Sequence, residues 1–119
     1  MTNHVGEWTF GEDKYECTAL VKENCTDLKN YTTQAWRPGV RVEENCGIQP
    51  FTAIATFYNG RYPPPPRRDG HAAIFHTCSE NGIWVYDQNI NKRIGRTHFR
   101  FNDGSYPAKN ASNYYVITL

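Results

Sequence analysis

Two kinds of spacing divide the chain. Cys17, Leu20, Val21, Cys25 and Leu28 recur three and four residues apart, with Lys22 and Glu23 between them, so one stripe of a helix is apolar and the other side wet. Just ahead, Asp13-Lys14-Tyr15-Glu16 has the D-x-x-E form in which the first carboxylate accepts from the backbone N–H of the second acid and the second reaches back. The spacing predicts a helix over residues 14–28. From Tyr31 to Gln49 the period dissolves around Trp36-Arg37-Pro38-Gly39, which reads as a long ordered loop with a short strand near Val40 to Val42. After Pro50 the β-formers take over in Phe51–Tyr58, His71–Thr77, Ile83–Gln88, Arg96–Phe101 and Tyr114–Leu119. Within the fourth of these, Arg96, His98 and Arg100 alternate with Thr97, Phe99 and Phe101, the mark of a strand with one wet face. No connection after residue 50 has room for a crossover helix, so the strands are expected to run antiparallel. The predicted class is α+β: one domain, residues 1–119, with an N-terminal helix packed on an antiparallel sheet of about five strands.

The register of one hairpin carries the functional reading. His71–Thr77 and Ile83–Gln88 are joined by the turn-rich Thr77-Cys78-Ser79-Glu80-Asn81-Gly82. Centred on Ser79, the pairing sets Phe75 against Ile83, Ala73 against Val85 and His71 against Asp87, all on one face. Side chains directly opposite on antiparallel strands have Cβ atoms about 4.5–5.5 Å apart, close enough for a carboxylate to hold an imidazole N–H. A slip of one residue would send the two to opposite faces. Cys17, in the first turn of the predicted helix, lies among unpaired backbone N–H groups and at the positive end of the helix dipole, which favour thiolate over thiol. Cys17, His71 and Asp87 therefore form a candidate nucleophile, general base and orienting acid. Gln88 or Asn89 are alternatives for the orienting role, and the plain reading of Cys17 is a small buried hydrophobe on a helix stripe.

Composition narrows the classes. The chain has 119 residues with 3 Trp, 8 Tyr and 6 Phe, enough apolar area for one packed core, so disorder is not expected. Thirteen basic against twelve acidic residues leave a net charge of +1, with no basic run longer than Arg67-Arg68, which excludes a nucleic-acid footprint. No apolar run is long enough to cross a bilayer, and no basic region followed by an apolar stretch marks a secretory signal at residues 1–7. Four cysteines without C-x-x-C or Cys/His spacing argue against a metal site, and no cofactor is expected. With Cys17 kept for chemistry, one disulfide among Cys25, Cys46 and Cys78 is expected, its pairing open. Asp87, Asn89 and Asn91 imitate the start of a calcium loop, yet Lys92 stands where the turn needs Gly and His98 where it needs Glu. Pro63, Pro66 and Arg68 fit a P-x-x-P-x-R ligand but read as a stiff spacer. Sequons at Asn24, Asn30 and Asn110 carry little weight.

Taken together, the strings Tyr15-Glu16-Cys17-Thr18-Ala19-Leu20-Val21-Lys22, Ala53-Ile54-Ala55-Thr56-Phe57, Asp69-Gly70-His71-Ala72-Ala73-Ile74 and Gly82-Ile83-Trp84-Val85-Tyr86-Asp87-Gln88-Asn89 resemble those of the small bacterial CHAP-like amidases, relatives of the NlpC-type cell-wall peptidases. The resemblance runs along most of the chain. It implies a papain-like fold, hydrolysis of peptide bonds in peptidoglycan stem peptides, and Cys17 as nucleophile, His71 as base and Asp87 as third member. Asn89 stands where such domains often carry a further polar residue. Some members of the wider group are toxins injected into rival bacteria and paired with an immunity or inhibitor protein, so a secreted or wall-delivered antibacterial enzyme is implied. Extra cysteines and the run Pro63-Pro64-Pro65-Pro66 depart from that pattern. Tyr15 is the candidate second donor to an oxyanion, and Trp8, Trp36, Tyr58 and Tyr62 with Arg37 or Arg61 are candidates for a groove that meets the carboxylates of a stem peptide. The competing readings are an inactive wall- or protein-binding module, and a hydrolase or acyltransferase acting on another amide or ester.

Overall fold

The computed structural model describes residues 32–64, 69–89, 92–104 and 106–119. These form a single six-stranded sheet: β1 (Arg37–Arg41), β2 (Ala53–Thr56), β3 (Ala72–Ser79), β4 (Gly82–Asn89), β5 (Lys92–Arg100) and β6 (Tyr114–Thr118), in the order β1-β6-β2-β3-β4-β5. Every neighbouring pair is antiparallel. The expected α+β, papain-like class with a helix on about five strands is corrected on two points. Among the described residues there are six strands, and the helical segments are four single 3-10 turns, with no α-helix. The helix expected over 14–28, and with it Cys17, Tyr15 and Cys25, lies outside the described residues, as does Trp8.

The sixth strand is β1, which begins earlier than the short strand expected near Val40 to Val42 and takes in Pro38 and Gly39 of the expected loop. Pro38 and Gly39 argue against a central strand, but β1 lies at the sheet's edge and pairs on one side only, where a residue without an N–H is tolerated. Gly39 is required by the close approach: a Cβ there would meet Thr118 Cγ2 at 2.8 Å and Val116 O at 3.1 Å. A register shift between Pro38 and Arg41 accommodates the mismatch.

Alternation along the strands fills both faces. On one, Ala53, Ala55, Ala72, Ile74, Tyr86, Ile94 and Ile117 surround the fully buried Trp36; on the other, Ile54, Ala73, Phe75, Ile83, Val85 and Phe99 pack with Val42, Ala111 and Tyr114. On the second face the Phe99 and Tyr114 rings stack 5.4 Å apart, and the Tyr114 hydroxyl donates to Ala108 O at 2.5 Å. This two-sided burial explains why Ala53-Ile54-Ala55-Thr56 reads as a continuous apolar run rather than an alternating one.

The β3–β4 hairpin departs from the predicted register. Its turn is the two residues Glu80 and Asn81, with Ser79 opposite Gly82, Cys78 opposite Ile83 and Thr77 opposite Trp84. His76 is then an extra residue, and beyond this bulge Phe75 faces Val85 and Ile74 faces Tyr86. The bulge inverts the side-chain alternation: Cys78 packs on the same face as Phe75, three residues away, and there bonds Cys46 across a Cα–Cα distance of 5.8 Å. At the turn, a Cβ on Gly82 would fall 2.0 Å from Phe99 O, a backbone atom of the neighbouring strand. Gly82→Ala is accordingly expected to destabilise the fold by about 2–3 kcal/mol, read as a lower urea midpoint at unchanged slope.

Candidate active site

His71 sits immediately before β3, and its main chain is held by β2. Thr56 donates its N–H to His71 O at 3.0 Å, and its hydroxyl accepts the His71 N–H at 3.0 Å while donating to Asp69 O at 3.1 Å. A single buried threonine thus makes three hydrogen bonds to two residues, Asp69 and His71, of the approach to β3. Thr56→Val keeps the shape and removes both hydroxyl bonds; about 1–3 kcal/mol of stability should go with them, measured by denaturant unfolding, where a change below half a unit would place the restraint elsewhere.

Asp87 sits near the end of β4 on the same face. Continuing the Ile74–Tyr86 register places Ala73 opposite Asp87 and His71 two residues further along, so the pair meets diagonally and not directly across as the Ser79-centred register had it. The shift is an even number of residues, which preserves the face. The contact itself is short: His71 Nε2 lies 2.8 Å from Asp87 Oδ2. A carboxylate has no proton to give, so Nε2–H is the donor, and the neutral ring in that tautomer has its basic nitrogen at Nδ1. The imidazole and Phe99 rings meet in a T-shape, centroids 5.9 Å apart at 84°. Asp87 is 3% exposed and receives a second bond, from Thr97 Oγ1–H to Oδ1 at 2.7 Å. A carboxylate removed from water needs such donors on both oxygens to remain ionised at tolerable cost. The arrangement can hold an imidazole in one tautomer and stabilise it once protonated, the task of a general base with its orienting acid.

The remaining candidates divide. Trp36 is fully buried beneath the sheet, so it offers no groove wall; its ring meets Tyr62 edge-on, 5.3 Å between centroids. Tyr62 in turn packs on Gly70, where a Cβ would come within 3.1 Å of its ring, and thereby backs the chain leading into His71. Arg37 folds onto its own chain, its Nη1 donating to Gln34 O and Trp36 O, both at 2.8 Å. Tyr58 and Arg61 pair across a tight turn in which Asn59 and Gly60 both have positive φ, the type I′ geometry that Asn-Gly favours. Both are exposed, two to five residues beyond Thr56. Cys17, Tyr15 and the Asn89 side chain lie outside the described residues. Thr56 and Thr97 were missed by the sequence reading; the available signal was a hydroxyl at positions the strand patterns assign to the interior.

A family model described as Domesticated amidase effector 2 matches residues 1–117. The chain belongs to the Domesticated amidase effector 2 family. A Domesticated amidase effector 2 of Ixodes scapularis is 48% identical over 115 residues, covering 96% of this chain and 78% of the relative. A Type VI secretion amidase effector 2 protein of Salmonella typhi is 32% identical over 116 residues, covering 87% of this chain and 84% of the relative. Among solved structures, a Type 6 secretion amidase effector 2 (Tae2) superposes with a TM-score of 0.81 at 30% identity over 99% of this chain and 90% of that one. The Domesticated amidase effector 2 family is thus one of amidase effectors, and the buried His71–Asp87 pair lies within the matched span.

Proposed function

We propose that this chain is a cysteine amidase that cleaves peptide bonds in the stem peptides of bacterial peptidoglycan, and acts as an antibacterial enzyme delivered to the wall. The observation that carries this reading is the buried 2.8 Å contact between His71 Nε2 and Asp87 Oδ2. Membership of an amidase effector family, and the CHAP-like and NlpC-type strings of the sequence, support it. In the proposed sequence His71 Nδ1 takes the Cys17 thiol proton, and the thiolate attacks the scissile carbonyl. The backbone N–H of Cys17, with Tyr15 as second donor, holds the oxyanion. The imidazolium, steadied by Asp87, gives its proton to the leaving amine. Water, deprotonated by the same nitrogen, then hydrolyses the thioester and frees the acid product. An immunity or inhibitor protein that covers this site is the partner such an effector calls for.

Mass spectrometry of purified peptidoglycan incubated with wild-type protein and with Cys17→Ala tests the proposal. New peptide fragments with wild type alone, carrying the termini of one bond, are expected. Binding to the wall without products would favour a non-catalytic module, and neither products nor binding would remove the wall as target. The exposed Tyr58–Arg61 turn supplies a second handle, because stem peptides carry carboxylates that a guanidinium can pair. Arg61→Glu is expected to raise KM by about fivefold with kcat nearly unchanged, the size of an exposed charge contact; steady-state kinetics on a soluble stem-peptide fragment reads it.

A further inference from the structure

Asp87 is flanked directly across both neighbouring strands by residues with almost no side chain. Gly95 of β5 is its register partner on one side, and the β3 register continues to Ala73 on the other. Two groups that bond its carboxylate arrive from diagonal positions: His71, just ahead of β3, and Thr97 of β5, which stands opposite Val85. Diagonal neighbours are about 7–8 Å apart at the backbone, a span that an imidazole and a carboxylate can bridge between them. The Thr97 hydroxyl, 2.7 Å from Oδ1, ties down one carboxylate oxygen while the other, Oδ2, receives His71 Nε2–H.

We propose that Thr97 is a positioning residue of the site, acting through Asp87 to hold His71 in the Nε2–H tautomer with Nδ1 as its basic nitrogen. The proposal rests on the reading of His71 as general base. Thr97 touches no reacting atom, so its loss should act on turnover and leave substrate affinity alone.

The test compares wild type with Thr97→Val, Thr97→Ala and Thr97→Ser in kinetics on peptidoglycan fragments and in long-range 1H–15N spectra of the His71 ring. Both hydroxyl-free variants are expected to lose about 10- to 100-fold in kcat, the usual effect of deleting a group that orients a reacting one, with KM within about twofold of wild type. Their His71 spectra should show the Nδ1–H tautomer mixed with Nε2–H, where wild type shows Nε2–H alone. Thr97→Ser keeps the donor and should recover most of both properties. The proposal is overturned if Thr97→Val and Thr97→Ala retain the wild-type rate or tautomer, or if Thr97→Ser is as impaired as Thr97→Val, which would make volume and not the hydroxyl the cause. Should wild type itself cleave nothing, the proposed function fails, and the ring spectra alone still decide the role of Thr97.

Discussion

His71→Gln is expected to lower the rate of peptidoglycan cleavage by about 10⁴-fold, in the range by which loss of a base that works with its nucleophile suppresses hydrolysis. Gln rather than Ala is the informative substitution. Asp87 is buried, and removing its partner outright leaves a charge poorly compensated, at a cost of about 3–5 kcal/mol in comparable pairs. A Gln amide can still donate to Oδ2 but has no nitrogen able to accept a proton, so the fold is retained and the chemistry is lost. Two further readouts separate a base from a merely structural histidine. Alkylation of Cys17 by iodoacetamide at neutral pH should be far slower in His71→Gln than in wild type, because the thiolate is the reactive form. The double variant His71→Gln/Cys17→Ala should be no slower than Cys17→Ala alone, since the two act as one unit. A His71→Gln protein with wild-type turnover would sink the proposed mechanism.

The second large effect concerns stability. Cys46 and Cys78 close a loop with a sequence separation of 32 residues. A cross-link over such a loop removes enough freedom from the unfolded chain to contribute roughly 3–4 kcal/mol in the chain-entropy picture. The paired variant Cys46→Ser/Cys78→Ser, or wild type under a strong reductant, is therefore expected to melt about 10–15 °C lower in a protein of this size. The bond lies near the β3–β4 turn, while His71 and Asp87 lie at the other end of the same hairpin. Turnover per folded molecule well below the melting range should change by less than about twofold. Calorimetry with and without reductant, alongside kinetics at low temperature, reads both parts. A melting shift under about 2 °C would mean that the bond contributes little or does not form. The expected dependence suits an enzyme that works in an oxidising compartment.

What could be read in the sequence depended on which property each inference used. The pairing of His71 with Asp87 was legible because it needs only side-chain parity, and parity survives a register error of two. The register itself was not, because the extra residue His76 leaves no local mark: a histidine between Phe75 and Thr77 is an ordinary strand residue. A short strand near Val40 was legible, but the start of β1 was hidden by Pro38 and Gly39, whose local preferences oppose a strand and are overridden by an edge position and a close contact with Val116 and Thr118. The disulfide was open for the same reason as the register, since the bulge turns Cys78 toward Cys46. The groove residues divided by burial, a property composition does not report: Trp36 belongs to the interior, and Tyr58 and Arg61 to the surface.

The bulge at His76 also makes the β3–β4 hairpin two independently registered segments. Ile74 and Phe75 answer to Tyr86 and Val85 under one pairing rule, and Thr77 to Ser79 answer to Trp84, Ile83 and Gly82 under another. A change in length at Glu80 and Asn81 can be absorbed in the outer segment before it reaches the inner one. The spacing of acid and base is thus set by the inner segment alone, while the Cys46–Cys78 bond and the Gly82 approach to Phe99 anchor the outer one.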